Sequence, residues 1–301
     1  MLISVQTGSI LDPFGIEEGF QMIADAGFDG VDINLDHCLP SRQIREGVCA
    51  GFFDQSDEAI LAAIRPYREA AQKRGIRILQ AHAPFPTYTT DRAMNDYVSH
   101  ALKKTIMMCN FLGCKYLVVH PGFLPADARM TPDEEWALNI EMYSNLIPAL
   151  KEYGVICCLE NMFSGLRGKL MQAICSVPEE ANHYIDLLNE IAGEELFGFC
   201  LDTGHAMLLG QDLYTVIHQL GSRIRILHVH DNNGLSDEHL FPYMGITDWD
   251  RFCRGLKEIN YKNHLSFETF RGLDTFDAAL TPELLKLLHA TGELFVSRIE
   301  G

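Results

Sequence analysis

The chain of 301 residues lacks any apolar run of the ~18–20 residues that a membrane span needs, so no membrane partner is expected. Its first residues, Met1-Leu-Ile-Ser-Val-Gln, lack the basic segment and small-residue cleavage site of a signal peptide. There is no Cys-x-x-Cys pair. The nine cysteines are odd in number and scattered, so they read as apolar fillers in a reducing cytoplasm rather than a disulfide framework. No Gly-x-Ser-x-Gly elbow, Walker loop or Rossmann fingerprint occurs, and no low-complexity linker divides the chain. Positive charge is scarce: 24 Lys and Arg stand against 41 Asp and Glu, a net charge of -17. A field of that sign repels phosphate backbones. A nucleic-acid partner is therefore not expected, although bound divalent cations would reverse the sign locally.

What is present is a 47% apolar, 22% charged chain, the ordinary globular mix. Eight short apolar runs recur: Leu2–Thr7, Gly30–Leu35, Ile76–Ala83, Lys115–His120, Val155–Asn161, Leu196–Asp202, Ile224–Asp231 and His264–Glu268. They are continuously apolar rather than alternating, as strands buried on both faces should be. Amphipathic stretches between them predict helices over Asp57–Arg74, Ala101–Leu112, Asp133–Tyr153, Pro178–Ile191 and Pro282–Val296. Glycines 27, 75, 113, 154 and 221 mark helix ends, and Pro132, Pro178 and Pro282 mark helix starts. Eight β-α units in this length predict an α/β fold, a single (β/α)8 TIM barrel domain over residues 1–301. An open doubly wound sheet is the alternative, disfavoured by the missing glycine-rich nucleotide turn. The longest irregular stretch, Asp36–Gln55, holds Arg42 and Arg45 and is expected over the barrel mouth.

Barrel enzymes act at the C-terminal ends of their strands, and here those ends are polar. They carry His82, His120, Glu160-Asn161, Asp202-x-x-His205, His228-x-His230-Asp231 and Glu268, with Asp237-x-His239 in the loop after the seventh strand. Each has a plain reading alone: a structural histidine, a helix N-cap at Asp202, a polar loop at 237–239. A carboxylate closing an apolar strand, such as Glu160 or Glu268, must be paired, metal-bound or protonated. Barrel closure brings these groups to one mouth, where so many acceptors need cations. Imidazole nitrogen with carboxylate oxygen and no thiolate suits Zn²⁺ or Mn²⁺. Phe85 and Trp249 stand near the expected mouth as candidate stacking surfaces, with core packing as the competing reading.

At these residues the sequence resembles the xylose-isomerase-like TIM barrel superfamily, which includes sugar isomerases and epimerases, inosose dehydratases and endonuclease IV. The segments His82-Ala-Pro, His120-Pro-Gly, Glu160-Asn, Leu201-Asp-Thr-Gly-His-Ala206, His228-Val-His-Asp-Asn232, Asp237-x-His-Leu240, Ile246-Thr-Asp-Trp249 and Phe267-Glu268 appear in the family's order. In the ketose epimerase branch the resemblance implies one divalent metal on Glu160, Asp202, His228 and Glu268. The two glutamates exchange a proton beside the carbonyl, and His205 contacts substrate. Apart from the resemblance, His230 is a further candidate substrate-binding residue. In the endonuclease IV branch it implies three zinc ions on His82, His120, Glu160, Asp202, His205, His228, Asp237, His239 and Glu268, so the resident divalent metal, Zn²⁺ or Mn²⁺, numbers one to three ions between the two branches. All nine match.

Departures matter. His228 and Asp237 are nine positions apart, without the longer insertion by which endonuclease IV holds DNA. The epimerase arginine soon after the seventh-strand histidine is absent, with Gly234 nearby. Met162 replaces the lysine that follows the fifth-strand glutamate of xylose isomerase. Pro242-Tyr-Met-Gly245 replaces a Pro-Gly-x-Gly motif. The implied function is a metal-dependent isomerase or epimerase of a small polyhydroxy substrate, a sugar or sugar phosphate. An endonuclease IV-like phosphodiesterase is the alternative, and a non-catalytic metal-binding barrel the third reading. The expected partner is a small carbohydrate, the expected compartment the cytoplasm, and homo-oligomer formation is open.

Overall fold

The continuous apolar runs become strands, each slightly shorter than its run. The computed structural model describes residues 1–301. In chain order the strands are β1 (Ile3–Gln6), β2 (Gly30–Asn34), β3 (Arg77–His82), β4 (Tyr116–Val118), β5 (Ile156–Glu160), β6 (Phe163–Leu166), β7 (Lys169–Gln172), β8 (Phe197–Asp202), β9 (Ile224–His228) and β10 (Leu265–Phe267). Eight of them form one parallel sheet in the order β10-β1-β2-β3-β4-β5-β8-β9. A parallel bridge between Val229 and Phe267 joins the two ends of that order. This is the (β/α)8 TIM barrel topology. All six residues of β8 are buried, as a strand covered on both faces requires.

The chain divides into two compact units, one of residues 1–33, 67–79 and 200–301, the other of residues 34–66 and 80–199. In the first, β1 pairs with β10 through Ile3 and Leu265 and with β2 through Gln6 and Asp32. Its aromatic core gathers on Phe295 of the helix Thr281–Glu300. Trp249 stacks on that ring at 5.1 Å, and Phe252 and Phe267 approach it at 6.1 and 6.4 Å. Trp249 is therefore a core residue, 2% exposed, and not the open stacking surface considered for substrate.

In the second unit β4 lies between β3 and β5. The helix expected over Asp133–Tyr153 is two helices, Pro132–Ser144 and Ile147–Tyr153. Pro148 explains the break: it lacks an N–H, and its ring opposes the carbonyl of Ser144 four residues back. Tyr143 ties the first helix to the chain after β4, donating to the Val119 carbonyl at 2.7 Å. The stretch Asp36–Gln55 contains three short helical turns, Asp36–Cys38, Ser41–Arg45 and Phe52–Asp54, and its Arg42 is paired with Glu46 at 2.7 Å. The hairpin of β6 and β7 turns at Arg167-Gly168, where φ is 53° and 78°. Two successive positive φ values suit a tight hairpin turn, but Arg167 carries none of the usual signal for one.

Candidate metal centre

His82 ends β3, His120 follows β4 and Glu160 ends β5, so three neighbouring strands deliver one side chain each. His82 Nδ1 donates to the Ala83 carbonyl at 2.9 Å, which leaves Nε2 bare in the neutral ring. That nitrogen lies 2.9 Å from His120 Nε2, and His120 Nε2 lies 3.0 Å from Glu160 Oε2. Such a cluster is held by a shared proton or by a cation. Half-buried Phe85 stands edge-on to His120 at 4.5 Å; of the expected stacking pair it is the one that is not fully buried.

In the other unit the register of β9 beside β10 decides the geometry. Glu268 N donates to the Val229 carbonyl at 3.2 Å, setting the Glu268 carboxylate beside His228. Glu268 Oε2 is 3.4 Å from His228 Nδ1. Asp202, His228 and Glu268 offer one donor atom each within 4.8 Å of one another, and they are 0%, 0% and 5% exposed. Asp202 is also the N-cap of the helix Thr203–Leu208, accepting from His205 N at 2.6 Å. The capping reading and the ligand reading of this residue are thus compatible.

The loop after β9 brings Asp237 and His239 to the same unit's cluster. His239 Nδ1 donates to the Glu268 carbonyl at 2.9 Å, and its Nε2 faces Asp237 Oδ2 at 3.1 Å. His205 Nε2 is 3.5 Å from the same oxygen. Burial opposes the Asp237 charge, but hydrogen bonds to His205 and His239 outweigh it and hold the carboxyl far below its usual range. Burial likewise disfavours charge on His239, yet Asp237, Glu268 and Asp202 raise its ring to about 9. Asp237 Oδ1 is buried without a hydrogen-bond partner, and orphaned buried oxygens of this kind call for a cation or water. The donor set of carboxylate and imidazole, buried and convergent, fits a divalent cation such as Zn²⁺ or Mn²⁺.

His230 is placed differently from expectation. It is fully buried, stacks on His239 at 4.0 Å and aims Nε2 at both Asp202 oxygens, at 3.0 and 2.9 Å. It orients Asp202 rather than presenting an edge to substrate. Gly204 makes this packing fit: a Cβ there would stand 1.9 Å from His230 Cε1.

Asp32 escaped the reading of the sequence, and Asp231, noted there only among the polar strand ends, is spent on the loop that follows it. Asp32, in the middle of β2 and fully buried, faces His228 Nε2 at 3.1 Å. Asp231, also fully buried, accepts from the backbone of Asn232, Tyr243, Gly245 and Thr247, from Thr247 Oγ1 and from Trp249 Nε1. His264 is buried nearby, and burial lowers its ring to about 4 against the opposing pull of Asp32. The signal for Asp32 was available: it is a carboxylate inside a run otherwise read as a doubly buried strand.

The fold and the polar strand ends define a barrel of the class whose members carry ligands at those ends. The profile of the xylose isomerase-like TIM barrel family matches residues 20–290, and the chain belongs to that family. It is 29% identical over 213 residues to an uncharacterized protein of Methanocaldococcus jannaschii, spanning 68% of each chain. It is 27% identical over 202 residues to the inosose isomerase of Bacillus velezensis, covering 65% of this chain and 67% of the relative. Among solved structures, the IolI protein with a bound zinc atom superposes with a TM-score of 0.72 at 20% identity, covering 99% of this chain and 98% of that one. A D-tagatose 3-epimerase-like protein gives 0.68 at 22% identity, over 97% and 99% of the two chains.

Proposed function

We propose that the protein is a divalent-metal-dependent isomerase or epimerase of a small polyhydroxy compound, a sugar or sugar phosphate. The observation that carries this reading is the buried convergence of Asp202, His228 and Glu268. The family membership and the isomerase among its sequence relatives support it. In this reading the three residues, with Glu160 as the fourth ligand implied by the resemblance, hold one Zn²⁺ or Mn²⁺. The ion, when bound, supplies Lewis-acid polarisation of a substrate carbonyl. Glu268 and Glu160 act as the acid–base pair, one taking the proton from the carbon beside the carbonyl and the other returning it. His205 steadies the oxygen that gains charge during that transfer. His230 holds Asp202 in orientation, and the half-buried ring of Phe85 offers an apolar face to substrate.

The test has two parts. Elemental analysis of protein purified without added metal should find at least one Zn²⁺ or Mn²⁺ per chain. Chelation should then lower the Tm, because a ligand that binds only the folded state stabilises it by mass action. A panel of ketoses, inososes and their phosphates in deuterated water should reveal a substrate that gains carbon-bound deuterium. Protein that takes up no divalent ion after reconstitution, or exchanges no substrate on the panel, overturns the proposal.

The compact His82–His120–Glu160 triad favours one competing reading, a polynuclear phosphodiesterase like endonuclease IV. The net charge of -17 and the short segment from His228 to Asp237 weigh against a DNA substrate. Cleavage of an abasic-site oligonucleotide, absent with chelator, would promote that reading over the isomerase.

A further inference from the structure

Asp32 has no place in the chemistry proposed above, yet it is one of the most costly residues in the chain to bury. It sits at the centre of β2, between Val31 and Ile33, and all three are fully buried. A carboxylate taken out of water at such a position is strongly disfavoured unless it is matched. The backbone of Asp32 is spent on the sheet, its carbonyl accepting from Thr7 N at 3.0 Å. Its carboxylate Oδ2 faces His228 Nε2 at 3.1 Å. The other nitrogen of that ring, Nδ1, points the opposite way, 3.4 Å from Glu268 Oε2 and into the cluster with Asp202. The ring is therefore held between two carboxylates, one embedded in β2 and the other in the cluster with Asp202.

We propose that Asp32 is a positioning residue of the metal centre: it accepts the Nε2–H of His228 and so fixes Nδ1 as the bare, ligating nitrogen. The assignment rests on the metal reading of Asp202, His228 and Glu268. An anionic acceptor behind a ligating imidazole selects one tautomer, locks the ring plane and makes the ligating nitrogen more basic. Here the two constraints come from separate elements. His228 ends β9, whereas Asp32 lies on β2, with two strands between them in the sheet order β9…β10-β1-β2. Both side chains are at 0% exposure, so bulk water does not compete for the Nε2–H. Asp32→Asn keeps the shape but removes this selection, because the amide can turn its NH₂ toward Nε2 and stabilise the wrong tautomer. An acid-to-amide change behind a histidine in serine proteases acts in that way while leaving the geometry intact.

The test uses the full chain labelled with ¹⁵N-histidine, with His228 assigned by the loss of its signals in His228→Gln. Spectra of metal-free protein at alkaline pH should show His228 with Nε2 protonated and Nδ1 bare in the wild type, and the reverse or a mixture in Asp32→Asn. Titration with Zn²⁺ should show a 10–100-fold weaker Kd for Asp32→Asn, the range for loss of an outer-shell partner. The far-ultraviolet spectrum of the variant should stay unchanged. An Nδ1-protonated ring in the wild type overturns the assignment, as does a folded Asp32→Asn that binds Zn²⁺ within twofold of the wild type. Should Asp32→Asn fail to fold, the wild-type tautomer alone decides. Wild-type protein that binds no Zn²⁺ removes the metal reading itself, while the ring spectra still decide what Asp32 does to His228.

Discussion

The indole Nε1 of Trp249 donates to the buried carboxylate of Asp231 at 3.2 Å, and this bond closes a cradle of six donors around one side chain. Oδ1 accepts from Asn232 N, Thr247 N and Thr247 Oγ1; Oδ2 accepts from Tyr243 N, Gly245 N and Trp249 Nε1. The cradle fixes both ends of the loop that carries Asp237 and His239. Asp231→Asn must turn an NH₂ toward three donors whichever way the amide lies. A loss of about 3 kcal/mol of stability is expected, because buried donors left without acceptors cost ~1–3 kcal/mol each and partial relaxation recovers some of it. Urea denaturation checks this. Trp249→Phe removes one donor and also the part of the indole packed on Phe295, and should cost about 2–3 kcal/mol.

Gly204 gives a sharper steric prediction. A Cβ there would meet His230 at 1.9, 2.5 and 2.7 Å, and His230, fully buried between Asp202 and His239, has nowhere to retreat. Gly204→Ala should therefore cost about 1–3 kcal/mol, the usual range for overpacking a tight core. It should also weaken divalent-ion binding by displacing the imidazole that orients Asp202. Thermal melts with and without added Zn²⁺ check both: the melting temperature should fall, and the shift produced by the ion should shrink.

The eight strands were legible because doubly buried strands write themselves as unbroken apolar runs, and β8 is such a run. The polar strand ends were legible because His82, Glu160, Asp202 and Glu268 interrupt those runs at their C-terminal limit. What failed was direction and partnership. His230, two residues beyond His228, was read as a substrate contact, but it points at the Asp202 carboxylate. For Trp249 the sequence left stacking and core packing both open, and its helix turns it into the core, onto Phe295. Asp32 is 196 residues from His228, and no local pattern encodes a pairing of that separation. The hairpin at 163–172 escaped because Arg167 stands where Asn, Asp or Gly usually opens such a turn, and Pro148 broke a helix whose apolar spacing continues across the break.

Acid should weaken a surface tie between two helices. Asp212 caps the helix Leu213–Leu220 through Thr215 and receives Arg251 Nε at 2.8 Å. The Arg251 hydrogen bonds, aided by Thr215, lower the Asp212 carboxyl from 3.8 to about 2. A depressed folded-state pKa means the tie is fully present above pH ~4 and is lost as pH falls through about 2. The pair is 41% and 40% exposed, so screening limits its worth to about 0.5–1 kcal/mol. Urea midpoints of wild type and Asp212→Asn should differ at neutral pH and converge as the pH approaches 2.

The acid–base assignment carries the most consequence. Glu268 stands 3.4 Å from His228 Nδ1 and 3.6 Å from His239 Nδ1, and Glu160 stands 3.0 Å from His120 Nε2. Each carboxylate is thus oriented by imidazole and buried, as a proton-transfer group of fixed position should be. Glu→Gln preserves the shape and removes the basicity, so it separates proton transfer from packing. With a substrate from the panel, Glu160→Gln and Glu268→Gln should each lower turnover by ~10²–10⁴, the range for losing a positioned acid–base group. Metal content should fall less, because the remaining ligands persist. Epimerisation takes the proton from one face and returns it to the other. One variant should therefore still wash deuterium into the substrate while failing to invert it, and the other should do neither. Wild-type exchange rates in both variants would exclude the two-carboxylate mechanism. Hydrolysis of a phosphodiester without any exchange would move the assignment to the phosphodiesterase reading.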